Sequence, residues 1–310
     1  MISTHKKTPY IKRLGKDIIN NWILYVMILP VILYVILFCY VPMYGVTLAF
    51  KAYRIKDGIL GSPWVGLAYF SQFTRSYSFW NLIKNTLGIS LYSLLVDFPI
   101  PIIFALMLNY LRLSRLKKTV QLISYAPHFI SVVVMCGIIK LFFADNGPLN
   151  RLTVMLGGTT VNYLTSPSIY KSLYVWTGVW QGMGWSAIIY ISALAGVDYE
   201  MHEAAIVDGA TKIKRMIHID LPSIKSTVIM LLIMRIGGLM GVGFDKAYLL
   251  QNELNLSSSE VLATYVYKMG LIKSDYSLST AAGLFNTVIN LTLIVTANTV
   301  SKKLADESLF

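Results

Sequence analysis

The segment EAAIVDGATKIKRMIHIDLP, Glu203 to Pro222, gathers acids, bases and a histidine within a strongly apolar chain. Such groups can hold a metal, move protons or pair with a charged partner. Spacing disposes of the first two uses. His202 and Glu203 begin the His-Glu-x-x-His pattern that seats zinc on one helix face, but position 206 is Ile and the second ligand is missing. His5, His128, His202 and His218 make no other metal spacing. No GxxxxGK[ST] loop occurs to cradle phosphates, and no Ser-His-Asp or Cys-His arrangement supplies a nucleophile. The chain reads as a non-enzyme that binds no cofactor of its own.

A second set of polar residues lies inside apolar runs, where bare polarity is costly. In VWTGVWQGMGW, Trp176 shares a helix face with Trp180, and Gln181 shares one with Trp185. Gly178 and Gly182 form a small-xxx-small surface for close helix contact. Trp180, Gln181, Gly182 and Trp185 suit either helix packing or a saccharide path, with ring faces stacking on sugars and the amide bonding hydroxyls. Arg235, in LLIMRIGGLMG, is placed near mid-bilayer and needs a cavity or a counter-charge; Asp97 is a candidate partner. It reads equally as a structural ion pair or a substrate-facing base. Asn286 and Asn290 share a face and can bond substrate or a neighbouring helix. Pro127 is expected to kink its helix.

The elements that must position these residues follow from composition. Of 310 residues, 55% are hydrophobic and only 14% charged, against about 25% charged in soluble domains. Mean hydropathy is +0.61. Six apolar runs match the length of bilayer-spanning helices: 22–46, 86–108, 119–143, 173–197, 224–242 and 279–300. The first is too long for a signal peptide and has no small-residue cleavage site after it, so it reads as a retained helix. Cys39 and Cys136 both fall in apolar runs and are expected as buried hydrophobes.

The net charge of +12 sits in short segments between runs rather than in a basic stripe, which excludes nucleic acid as a partner. Lys6, Lys7, Lys12, Arg13 and Lys16 precede the first run, and Arg112, Arg115, Lys117 and Lys118 follow the second. Lys212, Lys214 and Arg215 follow the fourth, and Lys302 and Lys303 follow the sixth. These segments share one side, the cytoplasmic one, giving N-in and C-in topology despite Lys51, Arg54, Lys56 and Arg75 in the first outer loop.

The opening segment is then a cytoplasmic loop between the fourth and fifth runs. Asp198 can cap a helix with Glu200 in its first turn, Gly209 can stop it, a second short helix follows, and Asp220 and Pro222 open the fifth run. Ala204 and Ala205 give a surface that another protein can approach closely, and Glu203 can reach a base on it.

Glu-Ala-Ala, three residues, Gly, nine residues, Ile, one residue and Leu-Pro is the spacing of the EAA motif, which it resembles without gaps. Glu203, Ala204, Ala205, Gly209, Ile219, Leu221 and Pro222 carry it, and Asp208 extends it to the Asp-Gly-Ala form. By this motif the chain is identified as a permease subunit of a bacterial binding-protein-dependent ABC importer. FPIPIIFALMLN, QLISYAPHFIS, GPLN, GVGF and TYVYKMGL further resemble the polysaccharide or lipoprotein-associated sugar permeases of that family.

The resemblance implies an all-α, six-span, type I (MetI-like) permease fold in the bacterial cytoplasmic membrane. It implies a tail at 1–21, a permease domain at 22–300 with the coupling loop at 198–222, and a second tail at 301–310. It implies a second homologous permease in a heterodimer, two cytoplasmic ATPase subunits holding ATP and Mg, and an extracytoplasmic solute-binding lipoprotein that delivers an oligosaccharide. In maltose-type members the sugar contacts flank the coupling loop, which places Gln181, Gly182 and Trp185 at similar depth. The alternatives are an importer of another solute class or an ion-coupled secondary transporter, whose paired broken helices are not visible here.

Overall fold

Runs of Leu, Ile, Val and Phe give the backbone no water to bond in lipid, so helix must satisfy its polar groups internally. The structure, a computed structural model, describes residues 19–305, and helices carry all six apolar runs. Among the described residues no strand forms beyond one isolated bridge between Lys51 and Trp64. The basic residues before position 19 and the end of the C-terminal tail lie outside the described residues.

Among the described residues three helices are long and apolar enough to cross a membrane: Trp22–Phe50, Phe79–Asn109 and Tyr276–Lys303. Two helix pairs qualify if each counts as one bent span, Ser114–Phe129 with Val132–Phe142 and Lys212–Ser223 with Lys225–Gly237. For reference, the helices are α1 (Trp22–Val35), α2 (Phe79–Val96), α3 (Pro99–Asn109), α4 (Ser114–Tyr125) and α5 (Val132–Phe142). They continue as α6 (Pro167–Leu194), α7 (Tyr199–Val207), α8 (Lys225–Gly237), α9 (Phe244–Leu250) and α10 (Tyr276–Ala305). At 28 residues α6 is long enough to span, but it is not among the three that are also apolar enough.

The departures from six plain spans have local causes. The third run does not kink at Pro127; it breaks by 102° three residues later. Pro127 tightens the chain into a 3-10 turn, Ala126–Phe129, and Ile130 and Ser131 are extended. Two bonds then stabilise the break. Ser131 caps α5 by accepting from the Val134 N–H, and the Gln181 amide donates to the freed Ile130 carbonyl at 3.0 Å.

The fifth run is also shorter than expected, because α8 ends at Gly237 and Asn290 accepts the Met240 N–H at 3.0 Å beyond its end. Nor do Asp220 and Pro222 open it. A π turn, Met216–Asp220, closed by a Leu221 N–H to Met216 carbonyl bond, widens the helix just before Pro222. The proline ring is accommodated, the helix runs on to Ser223, and the 64° bend falls at Ile224. The same device, Ile36–Tyr40 before Pro42, carries the first run past its proline.

Three apolar clusters hold the bundle. Ile102, Ala105 and Leu106 of α3 pack on Ala187, Tyr190 and Leu194 of α6. Met135, Cys136 and Ile139 of α5 meet Tyr170 and Leu173 of α6 and Ala247 of α9. Phe79 and Leu82 of α2 meet Leu278 and Ala282 of α10. By contrast α1 has no buried residue. Cys39, in the π turn that continues it, is consequently exposed rather than buried, while Cys136 sits in the core.

Helix contact in α6 also differs from the small-xxx-small expectation. A Cβ on Gly182 would meet nothing within 4 Å, and one on Gly178 would face the Lys246 amine at 3.3 Å. Gly184 is where α4 comes close: a Cβ there would run into the Ser124 carbonyl oxygen.

Candidate functional site: a docking hairpin and a charged cavity

The segment 198–222 folds by its own sequence. Asp198 accepts from the Glu200 N–H at 3.0 Å and starts α7. Gly209, at φ +75, ends it; the Gly209 N–H bonds the Ile206 carbonyl and the Ala210 N–H bonds the Ala205 carbonyl. That bond pair, with a left-handed glycine, is a Schellman closure, and any other residue there would be strained. Thr211 then caps the next turn by accepting from the Lys214 N–H.

The result is a helical hairpin whose face carries Glu203, Ala204, Asp208 and Gly209 in the open, with Leu221 and Pro222 exposed at its base. Ala205 and Ile219 line a shallow cavity with Ala210, Lys214, Arg215 and His218. Ile206, Ile213 and Val207 are exposed apolar residues on this otherwise polar hairpin, Val207 to 87%.

Behind the hairpin lies a feature that the motif did not reveal. Asp220 is fully buried. The Tyr110 hydroxyl, just past α3, donates to its Oδ2 at 2.6 Å, and His202 Nε2 of α7 stands 3.3 Å from its Oδ1. The Arg215 guanidinium lies over the Tyr110 ring at 5.5 Å. Burial and the adjacent Asp220 carboxylate push the Tyr110 hydroxyl well above its usual range. A lone acid in an apolar stretch, IHIDLP, was the available signal, since burying a carboxylate demands donors.

The second site forms where helices break. Asp97 occupies the gap between α2 and α3, and Arg235 donates to its Oδ2 at 2.6 Å. Arg235 lies ten residues along α8 from Lys225, about 15 Å. Arg235 lines two cavities, and Asp97 joins it in the first. One, of about 410 Å³, is lined by Asp97, Trp185, Ser186, Tyr190, Leu231 and Arg235. The other, of about 470 Å³, is lined by Ser90, Ser93, Tyr174, Arg235 and the Gly241–Gly243 turn. Arg235 keeps half its side-chain surface open, with donors left over beyond the ion pair.

Trp185 presents its ring to the first cavity from a fixed platform, because His128 stacks on it at 4.4 Å and 3° and Phe129 meets it edge-on. Beside the second cavity, the buried Lys246 amine bonds the Tyr174 carbonyl at 2.8 Å, and burial lowers its pKa to about 8.

The structure thus brings Trp185 and Arg235 together and leaves the other path candidates apart. Gln181 donates to the Ile130 carbonyl and lines neither charged cavity. Trp180 lines a separate apolar cavity with Trp176, Met135 and Phe142. Gly182 lines neither charged cavity, and neither does Asn286, whose buried amide oxygen has no partner among the described residues.

The chain resembles known proteins over most of its length. Residues 97–306 match the family described as binding-protein-dependent transport system inner membrane component. Protein LplB of Bacillus subtilis (strain 168) is 42% identical over 292 residues, 94% of this chain and 92% of that protein. The polygalacturonan/rhamnogalacturonan transport system permease protein YteP, from the same organism, is 42% identical over 300 residues, covering 96% of this chain and 94% of its own length. A crystal structure of a bacterial ABC transporter involved in import of the acidic polysaccharide alginate superposes with a TM-score of 0.88 at 37% identity. It covers 94% of this chain and 99% of the matched one. A second crystal structure, of a bacterial alginate ABC transporter with an alginate pentasaccharide-bound periplasmic protein, also gives 0.88, at 36% identity. That match covers 96% of this chain and 100% of the other.

Proposed function

The chain belongs to the binding-protein-dependent transport system inner membrane components, and from that membership we propose that it is the permease subunit of an ATP-driven oligosaccharide importer. The observation that carries this reading is the exposed hairpin at 198–222. It is a rigid, capped element with apolar residues left open, in a chain that has no nucleotide site. An open apolar patch on a polar loop is a docking surface. Its occupant is the ATPase, which holds ATP and Mg on another polypeptide.

The remaining parts follow in the same way. All six apolar runs span the bacterial cytoplasmic membrane with both termini inside, α6 included, and the two bent pairs count as single spans. The unburied first helix supports a second, homologous permease against which it packs. Two ATPase subunits dock on the pair, and an extracytoplasmic solute-binding lipoprotein feeds it.

The saccharide passes between the two cavities at Arg235. Trp185 stacks a sugar ring while the guanidinium bonds its hydroxyls or, in a uronate sugar, its carboxylate. The relatives that handle polygalacturonan and alginate make uronate oligosaccharides the first substrates to try.

The test is uptake by the complete transporter in proteoliposomes: both permeases, the ATPase and the loaded binding protein. Uptake should require ATP hydrolysis. Proton- or sodium-driven uptake without the ATPase would sink the reading, and native mass spectrometry of the binding protein would name the sugar.

A further inference from the structure

Helix α3 is tied at both ends to one neighbouring stretch of chain. At its lower end Tyr110 donates to Asp220 at 2.6 Å; above its upper end Asp97 accepts from Arg235 at 2.6 Å. Asp220 and Arg235 stand on either side of the Ile224 bend, so the two bonds are rungs between α3 and the helix pair that follows the docking hairpin. The lower rung has a third member. His202, immediately before Glu203 on α7, lies 3.3 Å from the other Asp220 oxygen with its side chain only 12% exposed.

A fully buried carboxylate is tolerated only while its donors are in place. The Tyr110 hydroxyl is the donor to Asp220, and His202 stands 3.3 Å from the other oxygen, Oδ1, which takes no hydrogen bond among the described residues, while meeting the Tyr110 ring edge-on at 6.4 Å. Arg215 over the Tyr110 ring closes the same knot from the hairpin side. Its position is set by the π turn that carries the chain past Pro222. An ordinary helical turn over 216–220 would place the carboxylate elsewhere around the axis.

We propose that Asp220 is a positioning residue for coupling: through Tyr110 and His202 it makes the docking helix α7 and helix α3 one rigid unit, so that a displacement of α7 reaches the Asp97–Arg235 pair at the first cavity. This rests on the importer reading above. It adds a route by which a push on the exposed hairpin changes the charged wall of the path. The ion pair then has a use beyond neutralising Arg235, because it is the far end of a lever whose near end is Asp220.

The complete transporter in proteoliposomes tests this with Asp220→Asn, Tyr110→Phe and His202→Gln. Binding-protein-stimulated ATPase should stay within about twofold of the parent while sugar moved per ATP falls about tenfold, the size of a typical coupling term. Tyr110→Phe removes one oxygen, so it decides the matter if Asp220→Asn fails to assemble. A structural role would not change the ratio: uptake and ATPase falling in proportion, or a normal ratio in Tyr110→Phe, overturns the proposal.

Spin labels at Tyr199 of α7 and Met107 of α3, both exposed, give a second readout. Their distance should be the same in nucleotide-free and ATP-bound parent and should differ between those states in Tyr110→Phe. A distance that already changes in the parent overturns the rigid unit. If the parent itself shows no ATP-dependent uptake, it is the importer reading that fails.

Discussion

The hairpin at 198–222 and the charged cavity are built on opposite principles. The hairpin is local: within 25 residues, 198–222, it carries its own caps at Asp198 and Thr211 and its own left-handed turn at Gly209. The cavity is assembled from afar. Asp97 and Arg235 are 138 positions apart, and Trp185 is held by His128 from a different broken helix. A local element keeps its shape when the rest of the chain moves, which is what a surface pushed by a partner requires. A site shared among helices changes shape whenever they shift, which is what a path that opens and closes requires.

The sharpest way to break the comparison is to destroy the hairpin alone. Gly209→Pro removes both the left-handed φ and the N–H that bonds Ile206. Uptake should fall by about two orders of magnitude, the upper end of coupling energies, while membrane insertion and expression stay normal. Glu203→Lys should act in the same direction by reversing the exposed charge. Normal transport by either variant would mean that the hairpin is not the coupling element.

An intermediate effect is expected at the cavity. Arg235→Met leaves Asp97 unpaired within the bundle, at a cost of about 1–3 kcal/mol, less than for a fully buried pair because both groups are partly exposed. The double variant Asp97→Asn with Arg235→Met should recover most of the lost melting temperature but not the uptake. Recovery of both would make the pair purely structural.

What was legible in the sequence divides along the same line. Asp198, Gly209 and the Leu-Pro spacing announce the hairpin, because caps and turns depend on near neighbours. The Asp97–Arg235 pairing was readable as an option, since a mid-bilayer arginine needs an acid. The 102° break near Pro127 was not: the proline suggested a kink, but the break needs Gln181, fifty-one residues away, to take the Ile130 carbonyl. In sequence Asp220 reads as the start of a span, because nothing local shows that a π turn will carry the helix past Pro222. The spacing of α6 glycines pointed to Gly178 and Gly182, whereas contact is decided by which face α4 reaches, and that is Gly184.

This last point gives the smallest and most discriminating prediction. On α6 the two glycines are two residues apart and so lie on different faces. Gly184→Ala would drive a methyl into the Ser124 carbonyl, which is backbone and cannot swing aside, so α4 must move. The cost should be about 1–3 kcal/mol, read as a lower melting temperature of the purified complex. Gly182→Ala meets nothing within 4 Å and exchanges a flexible residue for a better helix former, so it should be neutral or stabilising by up to about 1 kcal/mol. Since α4 leads into the turn that carries His128, Gly184→Ala should also loosen the stack on Trp185 and weaken uptake more than stability alone predicts. Equal effects from the two alanines would show that the α4 approach is not what fixes the cavity wall.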